Sequence, residues 1–126
     1  MKKTLQISDS ELQVMKLLWE NPPLTSIEIV DNLRSNIGWS PTTIYTLINR
    51  LVNKKTIEIE KGSSPYVCRA LLSQKEYRRK ERKSFLKKAY DNSLNLMLMN
   101  ILEEEELSDA EIDALKRILE NSKNKG

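Results

Sequence analysis

The stretch Trp39–Lys55, WSPTTIYTLINRLVNKK, decides the fold of this chain. It opens with Ser40 and Pro41. A serine oxygen accepts hydrogen bonds from the free amides of a first helical turn, and proline suits the first helical position. A helix is therefore predicted to begin at Pro41. Four apolar residues then fall on one face at helical spacing: Ile44, Leu47, Ile48 and Leu51.

The opposite face of this helix is polar and contains no acidic residue. Its small hydroxyls, amides and single guanidinium can hydrogen-bond to phosphates and to base edges. We interpret it as the recognition helix of a DNA-binding domain, although periodicity alone fits an ordinary solvent-facing surface equally well. The predicted DNA-binding residues are Thr42, Thr43, Tyr45, Thr46, Asn49, Arg50 and Lys54.

These candidates differ in expected role. Arg50 and Lys54 suit phosphates, because phosphate bonds dominate such interfaces. Thr46 is the best candidate for a base edge, since its methyl fits a thymine methyl and its hydroxyl can donate or accept. Tyr45 lies on the flank of the polar face, where it can meet a base, meet a phosphate or simply pack.

Two shorter helices precede this one. Capping boxes at residues 8–11 and 25–28 predict helices over about 9–20 and 26–36, the second with Ile27, Val30 and Leu33 inward. Gly38 allows the turn into the third helix. After Lys55 the pattern alternates over 56–60 and again over 66–71 around a turn at 61–64, which predicts a β-hairpin wing. The order is that of a winged helix-turn-helix.

Residues beyond Leu72 form a second predicted part, with helices over about 74–90 and 109–121. Between them lies the segment 94–102, which is apolar on all sides and so needs cover on more than one face. The simplest way to bury this segment is contact with the same segment of a second copy of the chain. We predict a winged-helix domain over residues 1–72 and a helical homodimerisation domain over 73–126. The predicted dimer core comprises Leu94, Leu96, Met97, Leu98, Ile101, Leu102, Leu115, Ile118 and Leu119.

Composition narrows the classes of function. The chain has 126 residues, no histidine and one cysteine, which removes the usual imidazole and thiolate metal sites and the Ser-His and Cys-His nucleophile pairs. We therefore expect no cofactor, no metal and no enzymatic activity. No apolar run reaches ~18 residues and no signal peptide is evident, so a cytoplasmic protein without membrane insertion is expected. The net charge is +3, with residues 75–88 at +6 and 103–120 at −6.

Three segments carry a family resemblance: ISDSELQVMKLLW, WSPTTIYTLINRLVNKK and LMLMNILEEEELSDAEIDALKRIL. Together they make the chain similar to the penicillinase repressor family of the BlaI/MecI type over almost its whole length. The resemblance implies a mainly α fold with a small wing and a helical dimerisation domain. It also implies repression of β-lactam resistance genes from palindromic operators. Induction in this family follows cleavage of the repressor by a membrane sensor with metalloprotease activity.

The chain departs from the family pattern at several positions. The family cleavage point is an Asn-Phe bond, and the matching bond here is Asn100–Ile101. Tyr45 replaces an arginine, which predicts a changed operator preference. Lys55 replaces a glycine at the entry to the wing. The C-terminal cysteine cluster of copper-responsive relatives is missing, which argues against metal sensing.

Two alternatives stay open at this point. The chain can be a dimeric adaptor or anti-regulator that binds protein through the third helix or the basic helix. It can also be a repressor of the same family that answers to a signal other than a β-lactam.

Overall fold

The computed structural model describes residues 6–104 and 106–124. It confirms a mainly helical chain with a small antiparallel sheet. The elements, in chain order, are α1 (Asp9–Glu20), β1 (Leu24–Thr25), α2 (Ser26–Asn36), α3 (Pro41–Asn53), β2 (Ile57–Ile59), β3 (Val67–Ala70), α4 (Gln74–Tyr90), α5 (Leu94–Glu104) and α6 (Asp109–Asn124).

The helix starts follow from side-chain caps. At α1, Ser8 Oγ accepts from the Glu11 amide at 3.1 Å, and the Glu11 carboxylate accepts from the Ser8 amide at 2.8 Å. The same reciprocal pair forms before α2 and α6. These bonds satisfy amides that have no partner within a first helical turn. The helices predicted from the capping boxes are thereby confirmed, although α6 extends to Asn124 rather than to about residue 121.

The sheet has three strands in the order β1-β3-β2. β2 and β3 are the predicted hairpin, with Glu58 opposite Arg69. β1 was not predicted as a strand, because two residues are too few to show alternation. It pairs antiparallel to β3, with Leu24 opposite Cys68. The returning strand of the wing is consequently hydrogen-bonded on both sides.

A single hydrophobic core joins α1, α2, α3 and the sheet. The sequence prediction was wrong for Ile27, which is 48% exposed. Leu24 lies just before the N-cap of α2 and Ile29 one turn into it, the positions of a hydrophobic staple, and Ile29 is fully buried. The buried face of α2 therefore passes through Ile29 instead. The core consists of Val14, Met15, Leu18, Ile29, Val30, Leu33, Ile44, Leu47, Ile48, Leu51, Ile57 and Cys68.

The chain divides into two compact units within α4, the first ending at Arg79 and the second starting at Lys80. Trp19 holds the start of α4 in place within the first unit. Its indole Nε1 donates to the Leu72 carbonyl at 2.9 Å, and its ring lies 5.4 Å from that of Tyr77. The boundary after residue 72 between a DNA-binding and a dimerisation domain stays a prediction.

The second unit contains the rest of α4 followed by α5 and α6. Asp91 and Asn92 adopt left-handed backbone conformations between α4 and α5, with φ of 50° and 66°. Ser93 then caps α5 by accepting from the Leu96 amide at 3.1 Å. α5 continues to Glu104, beyond the predicted apolar segment. Across the described residues of α4, α5 and α6 no side chain is buried.

None of the described helices combines the length and the apolar character that crossing a membrane requires.

Candidate nucleic-acid interface

Helix α3 separates its apolar and polar residues as predicted. Ile44, Leu47, Ile48 and Leu51 are each no more than 4% exposed and lie in the core. The opposite side is open to solvent. Six of the seven predicted DNA-binding residues are brought together on this exposed side: Thr42, Thr43, Tyr45, Thr46, Asn49 and Arg50.

Lys54 is placed differently from the other six. Its ammonium Nζ lies 2.6 Å from Glu11 Oε1 and 2.7 Å from the Gln6 carbonyl oxygen. Its donors are thus directed toward α1 and toward Gln6, in the segment that precedes α1, whereas a phosphate contact was expected from the sequence. The cause is the buried carboxylate of Glu11, which needs a counter-charge. A phosphate would have to compete with that carboxylate for Lys54.

Glu11 is 1% exposed and makes three polar contacts, two with Ser8 and one with Lys54. Burial raises the pKa of its carboxyl. The hydrogen bonds from Lys54 and from the Ser8 amide, together with the charge of Lys54, outweigh burial and leave the pKa below its ordinary value. Glu11 is therefore a charged residue held inside the protein, and the ion pair with Lys54 ties the end of α3 to the start of α1.

The hydroxyls of α3 are already partly engaged. Ser40 Oγ accepts from the Thr43 amide at 3.3 Å and donates to Thr43 Oγ1 at 3.0 Å. Thr46 Oγ1 donates to the Thr42 carbonyl at 2.9 Å. Because the Thr46 proton is used inside the helix, the outer surface of that residue offers a methyl group and acceptor lone pairs. Thr46 is thus suited to accept a hydrogen bond from a base edge rather than to donate one.

A tight junction connects α3 to the wing. Lys55 has a φ of 63°, the left-handed conformation that ends many helices. The Lys55 amide donates to the Val52 carbonyl, and the amide and hydroxyl of Thr56 both donate to the Leu51 carbonyl. On its other side, the Thr56 carbonyl accepts from the Leu71 amide at 2.8 Å. One buried threonine therefore links α3 to both strands of the wing.

Beside Tyr45 lies a surface cleft of about 490 Å3, lined by Ser26, Ile27, Tyr45 and the wing residues 63–66. All of its lining residues are uncharged. The Ser26 amide donates to the Tyr66 carbonyl at 2.8 Å, which fixes the base of the wing against α2. Sequence reasoning missed Ile27 and Tyr66 as neighbours of Tyr45. The hydrophobic staple of Leu24 and Ile29 was the sequence signal that could have located Ile27. Because it turns Ile29 toward the core, it leaves Ile27 facing outward.

The predicted dimer core and cleavage bond lie in the second unit. Met97 and Asn100 are half-buried, and Asn100 Nδ2 donates to the Leu96 carbonyl at 3.0 Å within α5. Ile101 is 37% exposed, so the Asn100–Ile101 bond lies inside a regular helix. In one copy of the chain, the remaining predicted core residues are between 41% and 67% exposed: Leu94, Leu96, Leu98, Leu102, Leu115, Ile118 and Leu119.

Known proteins resemble this chain over nearly all of its length. The penicillinase repressor of Bacillus licheniformis is 38% identical over 125 residues, which cover 99% of this chain and 98% of that protein. The methicillin resistance regulatory protein MecI of Staphylococcus aureus is 33% identical over 117 residues, with coverages of 93% and 95%.

Two solution structures resemble the first unit. The DNA-binding domain of the repressor BlaI has a TM-score of 0.55 and 35% identity, and the match covers 61% of this chain and 94% of that domain. Monomeric BlaI from Bacillus licheniformis, in complex with the blaP half-operator, has a TM-score of 0.52 at the same identity and coverage. A family model described as the penicillinase repressor matches residues 7–121. The chain belongs to the penicillinase repressor family.

Proposed function

We propose that this chain is a dimeric transcriptional repressor that binds palindromic operators of β-lactam resistance genes and is inactivated by cleavage in α5. The observation that carries the proposal is the exposed face of α3. It presents hydroxyl, amide and guanidinium groups without an acid on a helix whose other face is locked in the core. The likeness to BlaI in complex with a half-operator supports the assignment of this face to DNA.

The proposed DNA contacts divide by chemistry. Arg50 lies near the C-terminal end of the exposed face and binds phosphate. Thr42 and Thr43, in the first turn, add hydroxyl contacts to the backbone, assisted by the positive end of the helix dipole. Thr46 and Asn49 face base edges. Lys54 holds α3 against α1 through Glu11 and contributes to DNA binding by positioning the helix.

Dimerisation is supported by the exposed apolar surface of α5 and α6. Large aliphatic side chains that are 41–67% exposed in one copy remain a solubility liability unless another surface covers them. A second copy offers the same residues, and a two-fold symmetric pairing buries both sets. The dimer then places two recognition helices on two half-sites related by the same axis.

Cleavage of the Asn100–Ile101 bond would inactivate the proposed dimer. Proteases act on extended backbone, and a helical bond becomes a substrate only when the helix opens locally. Cleavage would separate Ile101 and all of α6 from the rest of the chain, which removes half of the apolar surface proposed to form the dimer. Each half would then bind DNA alone, without the gain in effective concentration that linkage provides.

The test compares the full chain with a chain truncated after Asn100. Duplexes selected from a random pool by the full chain serve as probes. We expect a palindromic consensus, affinity that falls steeply with salt, and binding at least ~100-fold weaker for the truncated chain. The thermal unfolding transition of the first unit should be unchanged by truncation. Equal affinity of the two chains would refute the dimer mechanism, and failure to select any duplex would refute DNA binding.

The same experiment separates the competing functions. A protein-binding adaptor would select no palindrome, and its interactions would not require duplex DNA. A repressor that answers to another signal would select a palindrome, but the chain would stay intact in cells exposed to a β-lactam.

A further inference from the structure

Tyr45 lies on one flank of the exposed face of α3. Residues at spacings of three and four lie side by side on a helix, so Thr42, Tyr45, Thr46 and Asn49 form one continuous row. Tyr45 is 40% exposed and is the bulky aromatic member of this row. Any base edge that meets Thr46 or Asn49 has Tyr45 as its neighbour. The side chain therefore adjoins the proposed base-contacting residues on the side of the helix that borders the cleft.

The surroundings of Tyr45 are uncharged and partly apolar. Ile27, which is 48% exposed, and Tyr66, which is 57% exposed, line the same cleft as Tyr45. The other lining residues are serines and Pro65. A phosphate group would find no cation among these lining residues. A methyl group or a sugar face would find apolar contact.

The walls of the cleft come from three elements that are held together. α2 contributes Ile27, α3 contributes Tyr45, and the wing contributes Tyr66. The bond from the Ser26 amide to the Tyr66 carbonyl, at 2.8 Å, and the pairing of Thr25 with Val67 fix the wing to α2. Burial of Ile44 and Ile48 fixes α3 in the same core. The three apolar side chains consequently form a preorganised surface rather than a chance grouping.

We propose that Tyr45 is a specificity-determining residue that recognises a thymine by its 5-methyl group, with Ile27 and Tyr66 completing the apolar contact. This inference rests on the proposed DNA-binding function. Among the four bases, thymine alone presents a methyl group in the major groove, whereas the others present only hydrogen-bonding atoms there. An uncharged apolar surface beside a row of acceptors and amides selects that methyl.

The experiment uses the full chain and the consensus duplex that it selects from a random pool. Each thymine of the half-site is replaced in turn by deoxyuridine, which removes only the 5-methyl group. We expect one position at which the substitution weakens binding about fourfold, the effect of withdrawing one buried methyl group. In Tyr45→Ala, the consensus and its deoxyuridine duplex should bind equally well at that position.

A second variant tests whether the base preferred at that position can be changed. Tyr45→Arg replaces the apolar ring with a group that pairs with guanine O6 and N7. When Tyr45→Arg is put through the same selection, the thymine at that position should be replaced by guanine while the rest of the consensus is retained. Because this outcome is a gained preference, poor folding of a variant cannot imitate it.

Ile27, in the first turn of α2, and Ile37, just after its end, provide a matched control. Ile27 lies in the cleft, and Ile37 is similarly exposed at 43% but does not line it. Ile27→Ala should reduce the penalty for deoxyuridine, whereas Ile37→Ala should leave it at about fourfold.

The outcomes distinguish this inference from the function on which it rests. If the full chain selects a consensus but Tyr45→Ala keeps the same deoxyuridine penalty at every thymine, the methyl contact is refuted and the repressor function stands. A consensus in which no thymine is sensitive to loss of its methyl group would likewise refute the methyl contact and leave the repressor function standing. If no duplex is selected at all, both proposals fail.

Discussion

The two compact units of this chain differ in where their apolar residues lie. All twelve residues of the hydrophobic core belong to the first unit, and each is at most 7% exposed. In the second unit, α5 and α6 hold leucines and isoleucines of the same kinds, and none is buried. Apolar residues at helical spacing therefore predict a buried face, but they do not say whether the same chain supplies the cover. The first unit buries its apolar residues within one copy, whereas those of α5 and α6 stay exposed in one copy.

The largest expected effect is on assembly. Leu119→Asp places a carboxylate in the apolar face of α6, where Leu119 is 67% exposed in one copy. Because each dimer carries the change twice and loses ~2 kcal/mol of leucine burial at each site, the dissociation constant should rise about a thousandfold. Sedimentation equilibrium measures it. Glu120→Lys, on the polar side of α6, is the control and should leave assembly intact. If the unchanged chain is a monomer, the proposed burial of α5 and α6 against a second copy is wrong.

Leu51→Ala should act on the first unit alone. Leu51 is fully buried in the core, and truncation of such a leucine removes about 3 kcal/mol of stability. Urea unfolding should show this loss at every protein concentration, because the first unit needs no partner. A loss that shrinks as protein concentration rises would mean that the first unit also depends on association.

Lys54→Met should cost about 2 kcal/mol, because it leaves the carboxylate of Glu11 buried without its cation. Glu11→Gln combined with Lys54→Met should recover part of the loss, since the unpaired charge is then absent. A double-mutant cycle by urea unfolding measures the coupling. If the effects of Glu11→Gln and Lys54→Met add up in the double variant, the pair is not an energetic link between α1 and α3.

The pH dependence of the first unit should follow the same carboxylate. The pKa of Glu11 is lowered in the folded chain, so its contribution is complete above the ordinary value of 4.5 and is lost as the pH falls through the folded value. The capping glutamate Glu28, in the same unit, has a lowered pKa as well and adds to the loss. Stability measured from pH 7 to 3 should fall less steeply in Glu11→Gln than in the parent chain. Identical slopes would exclude Glu11 as a contributor.

The smallest expected effect is a gain in the stability of the folded chain. Lys55 adopts a φ of 63°, which favours glycine. Lys55→Gly relieves about 1–2 kcal/mol of backbone strain and loses about 0.5–1 kcal/mol to the greater freedom of the unfolded chain. A net stabilisation of ~0.5–1 kcal/mol is expected from thermal unfolding. The matched change Lys61→Gly in the wing turn should bring no comparable gain.

Local signals in the sequence were enough to predict most of the fold. The capping boxes and the Ser40–Pro41 pair define helix starts through bonds made within one turn, so they hold without knowledge of the rest of the chain. The wing strands were visible from alternation. Leu24–Thr25 was not, because a strand of two residues exists only through its partner β3.

The candidate site was predicted less completely, because several of its features depend on long-range contacts. Lys54 looks like any basic residue at the end of a recognition helix, and only the fold brings it to Glu11, 43 residues earlier in the chain. Tyr66 becomes a neighbour of Tyr45 through the sheet. The exposure of the six candidate residues of α3 followed from the helical period alone.

The junction at Thr56 has a consequence for how such repressors can diverge. Its amide, hydroxyl and carbonyl hold the end of α3 and the last strand of the wing at one point. The two parts of the proposed DNA-binding surface therefore keep a fixed angle and spacing. If α3 and the wing bind DNA as proposed, new operator preferences are most readily acquired by exchanging exposed side chains on this frame. An insertion or deletion between residues 53 and 57 would instead disturb all of the proposed contacts at once.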